Sequence, residues 1–458
     1  MTYQSVSPYD GQVLKNFEEL TDNQLENAIE TAATCFESWS QTSVPERAIV
    51  LARAASIMHS DIDRFAHLAT LEMGKLIGDA RSEVKLTADL IEYYATNLER
   101  RFALQRLEPS WGDATMEWRP YGVLFGVEAR NFPYYQLSRF VVPNLVVGNV
   151  ALAKHARCVP QCAIAFERLW MEAGAPTGTY TNLLISHEQV SRVIDNPRIK
   201  GVAFGGSVET GRLVAARAGK NLKKSRIEVG GSDTLIVLED ADLEMAVKWA
   251  VWGKMNNTGQ SCVAAKRMIV VDEVADRFLD MFRNALDLLE PGDPMDPTTT
   301  LAPLSTEGAL NKLLNQIERA VAGGATLLMG GKRVDRPGAY MQPTVLTNIM
   351  PRNPAFREEF FGPVALFFRV YNEVEAVALA NDSDFGPGGS IFTKDIERGK
   401  RLARFVDTGM MYVNHPIGMT PDFPFGSVKK FGYGIYGMGN QEFVNNKLIR
   451  FASVDAPA

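Results

Sequence analysis

A cysteine and a glutamate 34 residues apart have the chemistry of a nucleophile and its general base. Cys262 follows a polar, glycine-containing turn at 257–261, beside a helix, where backbone N–H groups can lower the pKa of a thiol. Glu228 ends an apolar run and precedes Gly230 and Gly231, which permit a planar group or another backbone to come close. Singly, a lone cysteine is more often a core residue, and a glutamate before two glycines is more often solvated. Together they predict covalent catalysis with Glu228 as base.

A third polar residue could stabilise the charge that such a reaction develops. Asn131 follows a predicted strand at 123–127, in the run Arg130-Asn131-Phe132-Pro133. Its side-chain amide could donate to an oxyanion, although a lone asparagine in a turn more often caps or turns the chain.

The first hundred residues read as helical. Apolar residues recur at helical spacing over 21–58 and 61–96, with Thr21 and Asp61 as candidate caps. From 102 to 120 the pattern alternates, which predicts a hairpin that leaves the main body.

Strands and helices alternate from 121 to 238, which predicts a doubly wound parallel sheet with its site at the strand carboxyl ends. The predicted strands are 123–127, 150–153, 182–185, 201–204 and 227–229, and the predicted helices are 160–173, 188–194 and 209–218. A second alternation over 240–440 includes a helix at 246–250 and strands at 267–271 and 364–370, and a late strand follows at 446–451. Two such layers would enclose a cleft.

Composition narrows the class of protein. A chain of 458 residues predicts two or three domains. With 46% hydrophobic residues, 22% charged residues and a net charge of −6, disorder and a basic surface for nucleic acid are not expected. The first residues do not resemble a secretory signal, and the most apolar run, 140–153, is too short and interrupted for a membrane span. A soluble cytoplasmic protein is expected.

Four cysteines do not form a disulfide framework in a chain of this length. Cys158 and Cys162 have the i,i+4 spacing of half a metal site, but no CxxC or neighbouring histidine pair completes it. Two buried apolar residues are expected instead, and no metal site is predicted.

Motifs along the whole chain carry a resemblance to a known family. They are Glu72-Met73-Gly74-Lys75, Asn131-Phe132-Pro133, Lys154, Gly206-Ser207 with Gly211, Glu228 with Gly230-Gly231, Gly259-Gln260-Ser261-Cys262, Glu359-Phe360-Phe361-Gly362-Pro363 and Pro424-Phe425-Gly426. In this combination the chain resembles the aldehyde dehydrogenase superfamily. The resemblance implies an α/β fold with a Rossmann-like cofactor domain at 1–101 and 121–229, an α/β catalytic domain at 230–440, and β oligomerisation elements at 102–120 and 441–458.

The resemblance also implies the reaction. Cys262 would attack an aldehyde, and the Asn131 side chain and the Cys262 backbone N–H would hold the oxyanion. After hydride has left for a nicotinamide, Glu228 would activate the water that hydrolyses the remaining thioester.

By the same resemblance, the chain binds NAD or NADP although it has no GxGxxG run after a strand. Lys154 would reach the adenosine ribose, Gly206 and Ser207 would lie beside the pyrophosphate at a helix N-terminus, and Glu359 and Phe361 would hold the nicotinamide riboside.

The residue three after Lys154 bears on the choice of cofactor. Members that prefer NAD often have glutamate there, and this chain has Arg157. A cation beside Lys154 favours a 2′-phosphate, so NADP is favoured over NAD. The alternative is that Arg157 points into solvent.

For the substrate, the chain is most similar to bacterial succinate-semialdehyde dehydrogenases. Arg139 stands eight residues after Asn131, where those enzymes have an arginine that binds the distal carboxylate, and Tyr135 and Ser261 would line the same pocket. A second arginine that some members carry is Asn256 here. Other or broad aliphatic specificity and a surface-paired Arg139 stay open.

Several positions depart from the family pattern. Ala129-Arg130 replaces the usual Pro-Trp before the oxyanion asparagine, Gly205 replaces a common threonine, Gly426-Ser427 replaces Gly-Gly, Phe431 replaces serine, and Ile435-Tyr436 replaces Arg-Glu. Arg130 could shift the neighbouring amide and lower turnover.

Two other functions compete with this one. A cysteine hydrolase needs a histidine near its nucleophile, and none of the five histidines stands in a matching motif. A degenerate paralogue with a binding role is favoured by the departures and opposed by the intact Asn131, Glu228 and Cys262.

The hairpin and the last strand, which resemble the oligomerisation elements of the family, would be exposed sheet edges in a monomer. A homodimer or homotetramer with a small aldehyde substrate is therefore expected.

Overall fold

The computed structural model describes residues 2–101, 105–108, 113–434 and 442–452. The helices within these ranges are α1 (Asp22–Trp39), α2 (Val44–Ser60), α3 (Ile62–Met73), α4 (Ile77–Arg101), α5 (Pro133–Val147), α6 (Pro160–Glu172), α7 (His187–Asp195), α8 (Val208–Lys220), α9 (Leu243–Met255), α10 (Asp272–Asp287), α11 (Glu307–Ala322), α12 (Glu373–Asn381) and α13 (Ile396–Ala403).

The strands of the described ranges form two large sheets and three small ones. They are β1 (Thr2–Val6), β2 (Val13–Glu18), β3 (Gln105–Leu107), β4 (Asp113–Pro120), β5 (Val123–Val127), β6 (Val150–Lys154), β7 (Tyr180–Asn182), β8 (Ile199–Gly205), β9 (Lys224–Glu228), β10 (Asp233–Val237), β11 (Ala265–Val271), β12 (Thr326–Met329), β13 (Thr344–Thr347), β14 (Val364–Val370), β15 (Phe385–Gly386), β16 (Gly388–Phe392), β17 (Met410–Val413), β18 (Val428–Lys429), β19 (Gly432–Tyr433) and β20 (Val444–Phe451).

Each of the two helical runs predicted near the N-terminus folds as two helices. The first run is interrupted before Ser43, which caps α2, and the second ends its first helix at Gly74, whose φ of 72° is left-handed. Thr21 caps α1 in a capping box, as expected. Asp61 stands at the start of α3 but makes no side-chain capping bond.

The first large sheet has the order β19-β9-β8-β5-β6-β7 and is parallel except for β19. The strand predicted at 182–185 lies earlier, at Tyr180–Asn182, because those residues pair with β6. The apolar Leu183 and Ile185 follow the strand instead of forming it. The carboxyl ends of β5 and β9 therefore meet at one edge, where Asn131 and Glu228 lie.

The second large sheet has the order β12-β13-β14-β11-β10-β16-β17, with only β12 antiparallel to its neighbour. Both faces of this sheet are covered. Successive residues of β10, which point to opposite faces, belong to two different hydrophobic clusters. Leu235 and Val237 pack with α9 and α10, whereas Ile236 packs with α11 and α12. This pattern is typical of a buried parallel sheet.

A three-stranded sheet, β20-β4-β3, joins the predicted hairpin to the predicted late strand. In β20, Leu448 and Phe451 are exposed. Trp111, within the hairpin predicted at 102–120, lies outside the described residues. No helix in the described part of the chain is both long and apolar enough to span a membrane.

Candidate active site

The nucleophile candidate follows a strained turn. Between α9 and β11, a short 3-10 turn contains three consecutive residues with positive φ, Asn257 (53°), Thr258 (54°) and Gly259 (72°). Left-handed backbone is costly for a β-branched residue such as threonine. The turn is held by a bond of 3.1 Å from the Asn257 N–H to Asp79 and by one of 3.3 Å from the Thr258 hydroxyl to the carbonyl of Ala302.

Glycines allow other backbone segments to approach the turn and the cysteine. A Cβ on Gly259 would lie 2.3 Å from the carbonyl oxygen of Gly362, and a Cβ on Gly231 would lie 2.3 Å from that of Cys262. Both distances are too short for any side chain. The two glycines thus fix Cys262 in place by permitting close backbone contacts.

Cys262 and Glu228 lie side by side. The thiol sulfur is 3.9 Å from Glu228 Oε1, and both residues are buried. Burial raises the pKa of the Cys262 thiol, and the Glu228 carboxylate raises it further, against the opposing charges of Lys266 and Arg139. The lowered pKa expected from the sequence is therefore wrong for this structure, because desolvation and a neighbouring anion disfavour the thiolate.

Arg139 binds the Glu228 carboxylate through both ends of its guanidinium. Nη1 lies 3.2 Å from Oε1 and Nη2 lies 3.0 Å from Oε2. The guanidinium stacks 4.1 Å from the ring centre of Phe425 and lies 5.6 Å from that of Tyr135. Arg139 comes from α5 and is buried, so the surface-paired alternative is wrong.

The position of a possible second arginine is occupied by Asn256, whose side chain is uncharged. The Asn256 amide lies 3.4 Å from Asp79, which also accepts from the nucleophile turn. Ser261 is buried immediately before Cys262. Of the three predicted substrate residues, Arg139 and Tyr135 contact each other.

Asn131 reaches the nucleophile turn. Its side-chain amide nitrogen donates to the backbone carbonyl of Gln260 at 3.0 Å, and its backbone carbonyl accepts from the Asn257 side chain at 2.8 Å. An amide has two N–H donors, so this bond leaves the second for an oxyanion. Arg130 instead donates to Ser305 at 2.6 Å.

Lys266 is a site residue that sequence reasoning missed. Its buried ammonium donates to the carbonyls of Ser261 at 2.5 Å and Cys262 at 3.0 Å, and lies 3.3 Å from Glu359. Turning these carbonyls towards Lys266 fixes the orientation of the peptide units around the nucleophile. In the sequence, the only feature that could have identified Lys266 is its position four residues after Cys262.

The residues predicted for the nicotinamide side lie next to this lysine. Glu359 accepts from the Gly231 N–H at 3.0 Å, and a Cβ on Gly230 would lie 2.2 Å from the Glu359 carboxylate. The ring centre of Phe361 is 5.9 Å from the Lys266 ammonium. Glu359 and Phe361 thus lie beside the lysine that binds the backbone carbonyl of Cys262.

The residues predicted for the pyrophosphate open a helix. Gly206 follows β8, and Ser207 is the N-cap of the 13-residue α8, with its hydroxyl accepting from the Thr210 N–H at 3.3 Å. The N–H groups and dipole of such a helix end favour an anion.

The predicted adenosine end contains two cations and an anion. Arg157 forms an ion pair with Glu19 and lies 4.9 Å from the ring centre of Tyr3, so it does not simply point into solvent. Lys154 lies 5.8 Å from the same ring. Burial, together with Arg157, lowers the pKa of Lys154 to about 8. An anionic group would relieve this repulsion.

Glu128 is a second residue that the sequence analysis missed. It follows β5, is 4% exposed, and its Oε1 has no hydrogen-bond partner among the described residues. Burial raises the pKa of Glu128 to about 7. A Cβ on Gly205 would lie 3.1 Å from Glu128 Oε2, so a threonine at this position would require the carboxylate to shift by a few tenths of an ångström.

The other departures have mixed outcomes. Phe431 is buried in one hydrophobic cluster with Cys262 and Phe425, so it packs beside the nucleophile. Ile435 and Tyr436 lie outside the described residues.

Comparison with known proteins gives matches over nearly the whole chain. The family model described as "Aldehyde dehydrogenase family" matches residues 1–449. A succinate-semialdehyde dehydrogenase (NADP(+)) of Deinococcus radiodurans is 44% identical, and the alignment covers 100% of this chain and 96% of that protein. A probable succinate-semialdehyde dehydrogenase (NADP(+)) of Synechocystis is 39% identical, with 99% and 100% covered. A crystal structure of succinic semialdehyde dehydrogenase from Streptococcus pyogenes with NADP+ is similar at a TM-score of 0.96 and 40% identity, with 98% and 100% covered.

Proposed function

We propose that this chain, which belongs to the aldehyde dehydrogenase family, oxidises succinic semialdehyde to succinate with NADP through a thioester on Cys262. The observation that carries the proposal is the buried contact of Cys262 with Glu228, 3.9 Å apart, beside the cation of Arg139. A nucleophile, a base and a cation that can bind a carboxylate thus lie next to one another. The named activities of relatives at 39–44% identity support the same substrate.

In the first half-reaction, Glu228 Oε1 is the acceptor for the thiol proton, and the thiolate attacks the aldehyde carbon. The second N–H of the Asn131 amide and the Cys262 backbone N–H stabilise the oxygen that becomes negative. The nicotinamide, when bound, supplies the hydride acceptor.

Before the second half-reaction, Glu228 releases the thiol proton to solvent. It then removes a proton from water, which attacks the thioester. The Cys262 thiolate leaves and the acid is released. Lys266 keeps the nucleophile turn in place by binding the carbonyls of Ser261 and Cys262.

NADP is the favoured cofactor because the adenosine end carries two cations. Lys154 and Arg157 would bind the 2′-phosphate, which would replace Glu19 as the partner of Arg157. Gly206 and Ser207 at the start of α8 would bind the pyrophosphate. NAD lacks the phosphate that would use these charges.

A second candidate is oxidation of uncharged aliphatic aldehydes. It is favoured by the engagement of Arg139 with Glu228, and by Asn256 where some relatives have a second arginine. In this alternative Arg139 serves only to hold the base. We further infer that the chain forms a homodimer or homotetramer through the sheet of β20 and β4, since most residues of β20 are exposed.

The test is a comparison of substrates matched in length. Initial rates of cofactor reduction are measured with succinic semialdehyde and with butanal, each with NADP and with NAD, and with Cys262→Ala as the control. A kcat/KM at least tenfold higher for succinic semialdehyde with NADP supports the proposal. Equal values for both aldehydes would favour the second candidate, and no reduction with any pair would refute both.

A further inference from the structure

We infer that Arg139 binds two carboxylates in turn, that of Glu228 before the substrate enters and the distal carboxylate of the substrate afterwards, so that an acidic substrate itself releases the base. The inference rests on the proposed function, since it takes a semialdehyde acid as the substrate. The exchange gives Arg139 and Glu228 a joint role, which is to make the base available only when an acidic substrate is bound.

The geometry permits the exchange. Glu228 Oε1 lies 3.9 Å from the sulfur of Cys262 and 3.2 Å from Nη1 of Arg139, so sulfur and Nη1 are separated by no more than about 7 Å. A four-carbon semialdehyde spans roughly 5 Å from carbonyl carbon to carboxylate, by ordinary bond lengths. With its carbonyl carbon bonded to sulfur and its carboxylate hydrogen-bonded to the guanidinium, the substrate reaches Arg139 without movement of the arginine.

The two carboxylates must compete for one cation. Both Nη atoms of Arg139 already bind Glu228, and Nη1 also lies 3.4 Å from the Gln136 side chain. One face of the guanidinium is covered by Phe425. A carboxylate bound in bidentate geometry occupies one edge of a guanidinium, so the substrate carboxylate takes the Nη1–Nη2 edge only by displacing Glu228. Two anions beside one buried cation would also leave an uncompensated charge.

The released base has a proton donor within reach. Glu228 Oε1 accepts from the Cys262 thiol at 3.9 Å, and a carboxylate relieved of a guanidinium has lone pairs available for a proton. The proton moves from sulfur to Oε1, the S–H bond breaks and an O–H bond forms, and no electrons are exchanged. The substrate carboxylate brings the charge that keeps Arg139 paired during this transfer.

The exchange predicts where discrimination appears in the kinetics. A group that only binds the distal carboxylate would change KM, because binding would be equal in ground and transition states. An exchange that frees the base changes kcat, since uncharged aldehydes leave Glu228 bound to Arg139 during both proton transfers. Loss of a general base typically costs about 10²-fold or more.

The test supplies the substrate in two pieces. Acetaldehyde and acetate together correspond to succinic semialdehyde cut at its central bond, and acetamide is the matched neutral control for acetate. The expected result is that acetate raises kcat for acetaldehyde about tenfold with saturation, and that acetamide does not. Arg139→Met, or Arg139→Lys if the first variant does not fold, should lose most of this response.

A second readout does not depend on turnover. Without cofactor or aldehyde, acetate should accelerate alkylation of Cys262 by iodoacetamide, and acetamide should not. Failure of acetate to accelerate either reaction, or equal acceleration by acetamide or in Arg139→Met, would overturn the inference. If acetate accelerates alkylation but succinic semialdehyde is not oxidised, the exchange stands and the proposed substrate fails.

Discussion

Replacing Glu228 by glutamine removes one charge from the site and keeps the shape of the side chain. Burial is the main cause of the raised pKa of Cys262, and Glu228 is the next. The nearby charges of Lys266, Arg139 and Asp233 remain in the variant. Because an anion 3.9 Å from the sulfur opposes a thiolate, its removal lowers the pKa of the thiol.

The same change weakens the protein and slows its second half-reaction. Arg139 and Glu228 are 3% and 5% exposed, and they share two hydrogen bonds. Removing one partner of a buried pair costs about 3–5 kcal/mol. We expect about 3 kcal/mol, since the glutamine oxygen still accepts one bond. Without the base, hydrolysis should slow by roughly 10²–10⁴-fold.

Three assays follow from Glu228→Gln. Rapid mixing with succinic semialdehyde and NADP should give a burst of one reduced cofactor per subunit, followed by slow turnover. The first half-reaction proceeds because the lowered pKa of the Cys262 thiol lets solvent take its proton without Glu228, whereas hydrolysis has lost its base. Alkylation of Cys262 by iodoacetamide should shift to lower pH, and the melting temperature should fall. Glu128→Gln, which removes another carboxylate of equal exposure, is the matched control. Turnover within threefold of the parent, or an alkylation profile unchanged in pH, would refute the assignment of Glu228.

Three further predictions concern other parts of the chain. Glu19→Gln should lower the dissociation constant of NADP about fivefold and leave that of NAD nearly unchanged. The reason is that the 2′-phosphate no longer has to displace Glu19 from a partly exposed ion pair with Arg157, which is worth about 1 kcal/mol. Equal changes for both cofactors in a fluorescence titration would argue against the phosphate site. Burial raises the pKa of Glu128 to about 7, so its contribution to stability is present below its unfolded pKa and is lost as pH rises through 7; Glu128→Gln should therefore raise the melting temperature at pH 8.5 but not at pH 4, and a destabilised variant at pH 8.5 would contradict this. Sedimentation at micromolar concentration should give a dimer or larger species, and a pure monomer would disprove the inferred assembly.

The family and the α/β class were predicted from motifs and are confirmed by the comparisons. Local patterns were sufficient where a strand is a continuous apolar run with clear ends. Val123–Val127 and Val364–Val370 have the predicted bounds. The domain boundaries stay a prediction, and β19, which lies within 230–440, pairs with Glu228 in the first sheet.

The contacts that set the chemistry could not be predicted from local sequence. Arg139 and Glu228 are 89 residues apart, and Arg157 and Glu19 are 138 apart, so only the fold brings them together. The sequence predicted a lowered pKa for the Cys262 thiol, whereas burial and Glu228 raise it, because both depend on contacts between distant parts of the chain. Its turn is visible in the sequence, but its burial depends on segments far along the chain.

The most direct test of the central claim is identification of the acylated residue. The Glu228→Gln variant is mixed with succinic semialdehyde and NADP, quenched in acid, digested and analysed by mass spectrometry. A succinyl thioester on the peptide that contains Cys262, absent when NADP is omitted, is the predicted result. An adduct on Cys35, Cys158 or Cys162 instead, or none while cofactor is reduced, would contradict the account.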